Sequence, residues 1–293
     1  MAACISSLGH DQYSSNNFDE LFNLPSYKRY LDFSSHEDND HLDNHRNKRL
    51  KFSQDDEFFN IEKRVIEFSS NELPCLKIVA GSLYLPKDNP KKPLGEDAHF
   101  IDELFKTIGV ADGIGGWVKQ GIDAGIYARD LMKNSHIVTY NEAMKGHVNP
   151  KRVLEEANKN TNSKGSSTAC IKGKIYIQVI DSTIFGCPYK LGNCNADNPS
   201  IAQEMKLNVE KDDTLMVGTD GMLDNMNDRE IEEIFRRAIN DKLKAKELTK
   251  KIENVALYNS FDRFADTPYA RASKGRHKGG KIDDITVIAA YTQ

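Results

Sequence analysis

The chain lacks the features that would tie it to a membrane, a disulfide framework or a nucleic acid. No apolar run approaches the roughly 18 residues that span a bilayer. No long apolar stretch follows Met1, which argues against a secretory leader. The first arginine is Arg29, preceded by Asp11, Asp19 and Glu20, which argues against an organellar leader. The five cysteines (Cys4, Cys75, Cys170, Cys187 and Cys194) are odd in number and show no metal-site spacing. Reduced thiols in an intracellular compartment are therefore expected, cytoplasm or nucleus, with chloroplast and mitochondrion left open. A net charge of −4 provides no global field for nucleic acid or an anionic membrane, so neither is expected as a partner. A monomer is expected.

Apolar residues are also scarce, at 39% of the chain, which points to a globular core diluted by a polar segment. Residues 1–71 are polar with short apolar islands and are expected to form a disordered tail; residues 72–293 are expected to form the globular domain. Asp38, Asp40 and Asp43 in the tail loosely resemble a calcium loop but lack its central glycine and closing glutamate. Arg46–Lys51 has the composition of a nuclear address, or of plain solvated charge.

What is present is organised around Gly109–Trp117, in which a short apolar run leads into Asp112, three glycines crowd beside it and the only tryptophan closes the stretch. Strand character over 106–111 puts Asp112 at a strand end, beside backbone that Gly113, Gly115 and Gly116 leave bare. An acid there suits a hard cation held by carboxylate and carbonyl oxygens. The same run alone also reads as a glycine turn with an Asx cap. Three further segments repeat the pattern: Gly95–Phe100 with Glu96 and Asp97, Gly218–Asn225 with Asp220 and Asp224, and Gly279–Val287 with Asp283 and Asp284. Thr214–Gly218 reads as a strand running into Asp220, and Ile285–Tyr291 as one running away from Asp283. If the last strand is antiparallel, Asp112, Asp220 and Asp283 converge at one sheet edge. Carboxylates so gathered repel one another unless cations neutralise them.

Helices are expected from Asp123, an N-cap, from Asn149-Pro150, and from the capping-box spacing of Asn227 and Glu230. A fourth runs through Ala245–Ala256, and Phe261–Lys278 reads as a basic exposed loop.

Five segments in this order resemble the metal-dependent Ser/Thr protein phosphatases of type 2C: Gly95–Phe100, Val110–Trp117, Gly165–Ala169, Gly218–Asn225 and Gly279–Val287. The form of the second resembles the branch of plants and mitochondrial relatives, and the likeness runs from about Leu76 to the C-terminus. It implies an α+β fold, a four-layer αββα sandwich of two antiparallel sheets. It also implies hydrolysis of phosphoserine and phosphothreonine in proteins by a hydroxide shared between two Mn2+ or Mg2+ ions about 3.5–4 Å apart. Under that resemblance Asp112 bridges the ions, Gly113 offers its carbonyl, Glu96 holds one ion through water, and Asp220 and Asp283 ligate the other. Asp97 and Asp284 orient the site, and Asp224 matches an acid linked to a weaker third ion. Phosphoproteins are the implied substrates.

The chain departs from that pattern in three places. Ile114 stands where much of the family has a histidine that protonates the leaving group. Lys92 stands where an arginine grips phosphate, giving charge without a bidentate fork. Ile175–Ile180 reads as a further strand, but after Ile171 the family's usual turn and strand are not found; Val179-Ile180-Asp181-Ser182 is a faint echo of that turn, read as part of the following loop. An inner hairpin is therefore expected to be missing, and with it the aspartate of the third ion's site. Two outcomes are open: residues 174–180 pair in the vacancy, or a strand edge stays exposed. The missing segment also sets the alternative function, a catalytically impaired pseudophosphatase that binds phosphoproteins. Asp220-Gly221 does not start an aspartyl-phosphate motif, because Gly218 stands where the nucleophile is needed.

Overall fold

The computed structural model describes residues 2–5, 76–173, 176–180, 190–193, 196–206 and 209–293. Ten strands in these residues form two antiparallel sheets. The first runs β1 (Ala2–Ile5), β9 (Thr214–Thr219), β10 (Ile285–Thr292), β2 (Ile78–Leu85). The second runs β3 (Asp97–Asp102), β4 (Thr107–Gly113), β5 (Ser166–Lys172), β6 (Tyr176–Ile180), β8 (Gln203–Lys206), with the short β7 (Leu191–Gly192) also on β5.

Strand alternation builds the sandwich. Ile108 and Val110 of β4 and Cys170 of β5 meet Val217 of β9 and Ile288 of β10, which makes the layer between the sheets. The residues between them, Ala111, Ala169 and Ile171, point the other way and are covered by α1 (Ala124–Ala143) and α2 (Pro150–Asn160) through Tyr127, Leu131, Val153 and Leu154. Across the other sheet lies α5 (Ala245–Phe261), so close that a Cβ on Gly81 of β2 would stand 2.5 Å from the backbone nitrogen of Lys246. The helix starts follow their caps. Asp123 accepts from the Gly125 N–H, Asn149 from the N–H groups of Lys151 and Arg152, and Asn227 with Glu230 closes a capping box on α4 (Asp228–Asn240). Two short helices, α3 (Asp220–Leu223) and α6 (Pro268–Ala272), follow β9 and α5.

The expected sandwich is the one observed, with two corrections. Residues 2–5, read as tail, form a strand antiparallel to β9, with Ala2 opposite Thr219 and Ile5 opposite Met216. Without β1 that flank of β9 would present unpaired backbone, and pairing satisfies it. The rest of the expected tail lies outside the described residues. The vacancy expected after Ile171 is filled: β6 pairs with β5, Ala169 opposite Ile180 and Lys172 opposite Ile177, and β8 continues the sheet. Val179 and Ile180 thus belong to a strand and not to the later loop, while Asp181 and Ser182 lie outside the described residues.

Candidate active site

Four chain segments deliver carboxyl groups to one edge of the sandwich. Asp112 ends β4 on the side that carries Ile108 and Val110, toward the other sheet. Asp97 begins β3 directly opposite Asp112 in the ladder, and Glu96 precedes it. From the other sheet, β9 ends in Thr219 and hands Asp220 and Asp224 to α3 and its cap. Asp283 and Asp284 immediately precede β10. Because β10 is antiparallel to β9, with Val287 opposite Gly218, its beginning lies beside the end of β9. That is the convergence expected from the sequence.

Two glycines allow the approach. A Cβ on Gly113 would stand 2.5 Å from the carbonyl oxygen of Ala124 and 2.8 Å from that of Glu96. One on Gly221 would stand 1.9 Å from the carbonyl oxygen of Asp284, so α3 could not turn against β10. Hydrogen bonds then fix the acids. Asp97 Oδ2 accepts from Thr219 Oγ1 at 2.6 Å and Thr286 Oγ1 at 2.7 Å, tying one sheet to the other through a carboxylate 2% exposed. Asp284 accepts from the N–H groups of Lys87 at 2.7 Å and Glu96 at 2.8 Å. Asn225 donates to the carbonyls of Gly221 and Lys281 and accepts from the Lys281 N–H, which clamps α3 to the segment before Asp283. Trp117, which closes the glycine run, donates its indole N–H to Ser166 Oγ at 2.7 Å.

Three lysines stand among the seven acids. Lys281 Nζ lies 2.5 Å from Asp220, 3.0 Å from Asp224 and 3.0 Å from Asp283. Lys87 Nζ lies 2.9 Å from Asp283, 3.1 Å from Glu96 and 3.8 Å from Asp284. Lys92 Nζ lies 2.5 Å from Glu96. Partial burial works against both half-buried ammonium groups, but the carboxylates around them outweigh it and raise the pKa of Lys87 and Lys281. Burial pushes Asp112 up to about 6, helped by Asp220 and Asp283 nearby. Burial and the charge of Asp112 likewise raise Asp97. Asp220 is held below the usual carboxylate range despite its burial, with Lys281 as a partner.

The structure therefore brings together Glu96, Asp97, Asp112, Asp220, Asp224, Asp283 and Asp284 with Gly113. Lys92, expected to grip phosphate, is engaged with Glu96. Sequence reasoning missed Lys87, Lys281, Asn225 and the two threonines. Lys281 and Thr219 sit inside the quoted motifs, beside acids already singled out; for Lys87 the only signal was a loop rich in lysine and proline.

The donor set fits a hard divalent cation: it is all oxygen, anionic and buried or half-buried, and holds no thiolate or imidazole. As the side chains stand, no three His, Cys, Asp or Glu among the described residues close on one point as a ligand set. The ammonium groups of Lys87 and Lys281 stand between the carboxylates instead, and their flexible stems can withdraw.

No family model matches the chain. It is 39% identical to "Probable protein phosphatase 2C 55" of Arabidopsis thaliana over 74% of its own length and 52% of that protein. It is 36% identical to "Probable protein phosphatase 2C 80" of Arabidopsis thaliana over 76% of its own length and 60% of that protein. The chain thus spans between half and two thirds of these relatives. To "Protein phosphatase PTC7 homolog fig" of Drosophila pseudoobscura pseudoobscura it is 30% identical, over 68% of its own length and 72% of that protein. Among solved structures, that of the photosystem II phosphatase PBCP superposes with a TM-score of 0.66 at 25% identity, over 74% of this chain and 99% of the other. With two antiparallel sheets and an edge of converging acids that agree with these likenesses, the chain belongs to the protein phosphatase 2C family.

Proposed function

We propose that the chain hydrolyses phosphoserine and phosphothreonine in proteins and needs Mn2+ or Mg2+ to do so. The observation that carries this is the edge itself: seven carboxyl groups from four segments and two sheets, with three lysine ammonium groups among them. Glu96, Asp112, Asp220 and Asp283 are the side chains that would hold two cations, with the Gly113 carbonyl as a further donor and Asp224 beside a weaker third site. When bound, such a pair supplies a nucleophilic water at neutral pH and offsets the charge of the phosphoryl oxygens.

The chain's own groups do the rest. Asp97 and Asp284 are fixed by four hydrogen bonds and hold the edge in register from both sheets. Lys87 and Lys92, both paired with Glu96, bring positive charge beside the site that a phosphate monoester dianion would take. With Ile114 in place of a histidine, the leaving alkoxide takes its proton from solvent. Phosphoproteins in an intracellular compartment are the proposed partners.

The test is phosphate release from a phosphothreonine peptide, run in parallel in Mn2+ and in EDTA. Release that requires the cation supports the proposal. Binding of the phosphopeptide without release in saturating Mn2+ and Mg2+ would leave the pseudophosphatase reading in its place.

A further inference from the structure

Between Phe261 and Ile282 the chain carries six lysine and arginine residues against two aspartates, a net charge of +4 within a chain whose total is −4. This is the basic loop that the site did not absorb. In the structure it frames a cleft of about 470 Å³, lined among others by Phe261, Arg263, Tyr269, His277, Lys278 and Ile282. That volume falls within the range of about 300–1,000 Å³ typical of ligand sites. The cleft adjoins the acid edge. Lys281 lines it while binding Asp220, Asp224 and Asp283, and the Tyr269 N–H donates to the Asp224 carbonyl at 3.0 Å.

The walls are tied down. Gly280 N–H donates to the Asp262 carbonyl at 2.9 Å, Thr267 Oγ1 to the Gly279 carbonyl at 2.7 Å, and Phe264 N–H to Asp262 Oδ1 at 2.8 Å. The last bond engages the only carboxylate of the lining. The rim is apolar as well as basic: Phe261 is 53% exposed, Ile282 57%, and the neighbouring Phe264 95%. Exposed aromatics beside the exposed charges of Arg263 and Lys278 suit an extended acidic segment that has apolar side chains to place.

We infer that this cleft takes the acidic residues flanking the phosphorylated serine or threonine of a protein substrate, an inference that rests on the function proposed above for the adjoining site. A nucleic acid is the less suited occupant, because the patch is too small to follow a run of phosphates and its rim is partly aliphatic.

The test uses the full chain and two phosphothreonine peptides, one with aspartates on both flanks and one with alanines there. Wild-type kcat/KM favours the acidic peptide by roughly tenfold, the size expected for two or three partly exposed charge pairs. In R263A/K278A the preference disappears, and in R263E/K278E it reverses, while hydrolysis of p-nitrophenyl phosphate is unchanged in both. Equal kcat/KM for the two peptides, or a preference that survives charge reversal, would overturn the inference. Fluorescence anisotropy of a labelled acidic peptide without phosphate reads the cleft independently of turnover. Binding weakened in both variants supports the inference even where p-nitrophenyl phosphate is not hydrolysed, an outcome that counts against the proposed function alone. Tighter binding of an oligonucleotide than of the acidic peptide would overturn it.

Discussion

At the scale of residues, two charges carry opposite lessons. Lys281 is held by three carboxylates that the family resemblance assigns to cations. Replacing it by methionine leaves those carboxylates facing one another, so the metal-free protein should lose about 1–3 kcal/mol of stability, between the values for exposed and buried pairs. The same variant should bind Mn2+ more tightly, because the cation no longer competes with a resident ammonium group. Thermal melts in EDTA and in Mn2+ check both signs; equal metal-dependent shifts in wild type and K281M would rule out the competition. Glu253 on α5 lies far from any role in the site, 7% exposed, and burial pushes its carboxyl up to about 7 from an ordinary 4.5. The folded state therefore holds a proton that the unfolded state releases, and stability falls as pH rises from 4.5 to 7. Glu253→Gln should be neutral near pH 4 and stabilising by on the order of 3 kcal/mol at pH 8, at 1.36 kcal/mol per unit. Denaturant titrations at the two pH values decide it, and a pH-independent difference would contradict the burial account.

At the scale of elements, β6 is the strand whose pairing corrects the expected gap. Its backbone bonds to β5 on one side and β8 on the other, with Gln178 opposite both Ile171 and Glu204. Proline at 178 removes a ladder donor between two strands and should cost on the order of 2–4 kcal/mol, read as a lower melting temperature. An unchanged melt would mean that the sheet ends at β5. The gap was misread because Val179–Ser182 departs from the family's motif, and a motif comparison weighs identity where a ladder needs only backbone and alternation. β1 was missed for a related reason: Ala2–Ile5 is a short apolar island in a polar stretch, and nothing local says that β9 needs a partner on that flank. The elements that were legible carry their signals within themselves. Asp123, Asn149 and the Asn227–Glu230 pair satisfy N–H groups only two or three residues away. Most of the acids were legible because they stand at a strand boundary, while Asp224, at the cap of α3, was legible only through its motif. Lys87 and Lys281 among them were not, since which ammonium group meets which carboxylate depends on how four distant segments converge.

At the scale of the whole molecule, the acid edge is where the two sheets are joined, so occupancy of the site and stability of the fold are linked. A cation that binds only the folded state should stabilise it by about 2.7 kcal/mol at one hundred times its dissociation constant. Millimolar Mn2+ or Mg2+ should raise the melting temperature and EDTA should lower it; a melt indifferent to both would separate the edge from cation binding. Asp112 is the residue on which the most depends, as it faces Asp97 within its own sheet and Asp220 and Asp283 from the other. The most direct measurement is therefore a calorimetric Mn2+ titration of wild type and Asp112→Ala, paired with phosphate release from the phosphothreonine peptide and a circular dichroism spectrum of each. The expected result is a folded variant that binds Mn2+ weakly or not at all and whose rate falls by orders of magnitude. A folded Asp112→Ala that binds Mn2+ as wild type does and releases phosphate at a near-normal rate would contradict the central claim.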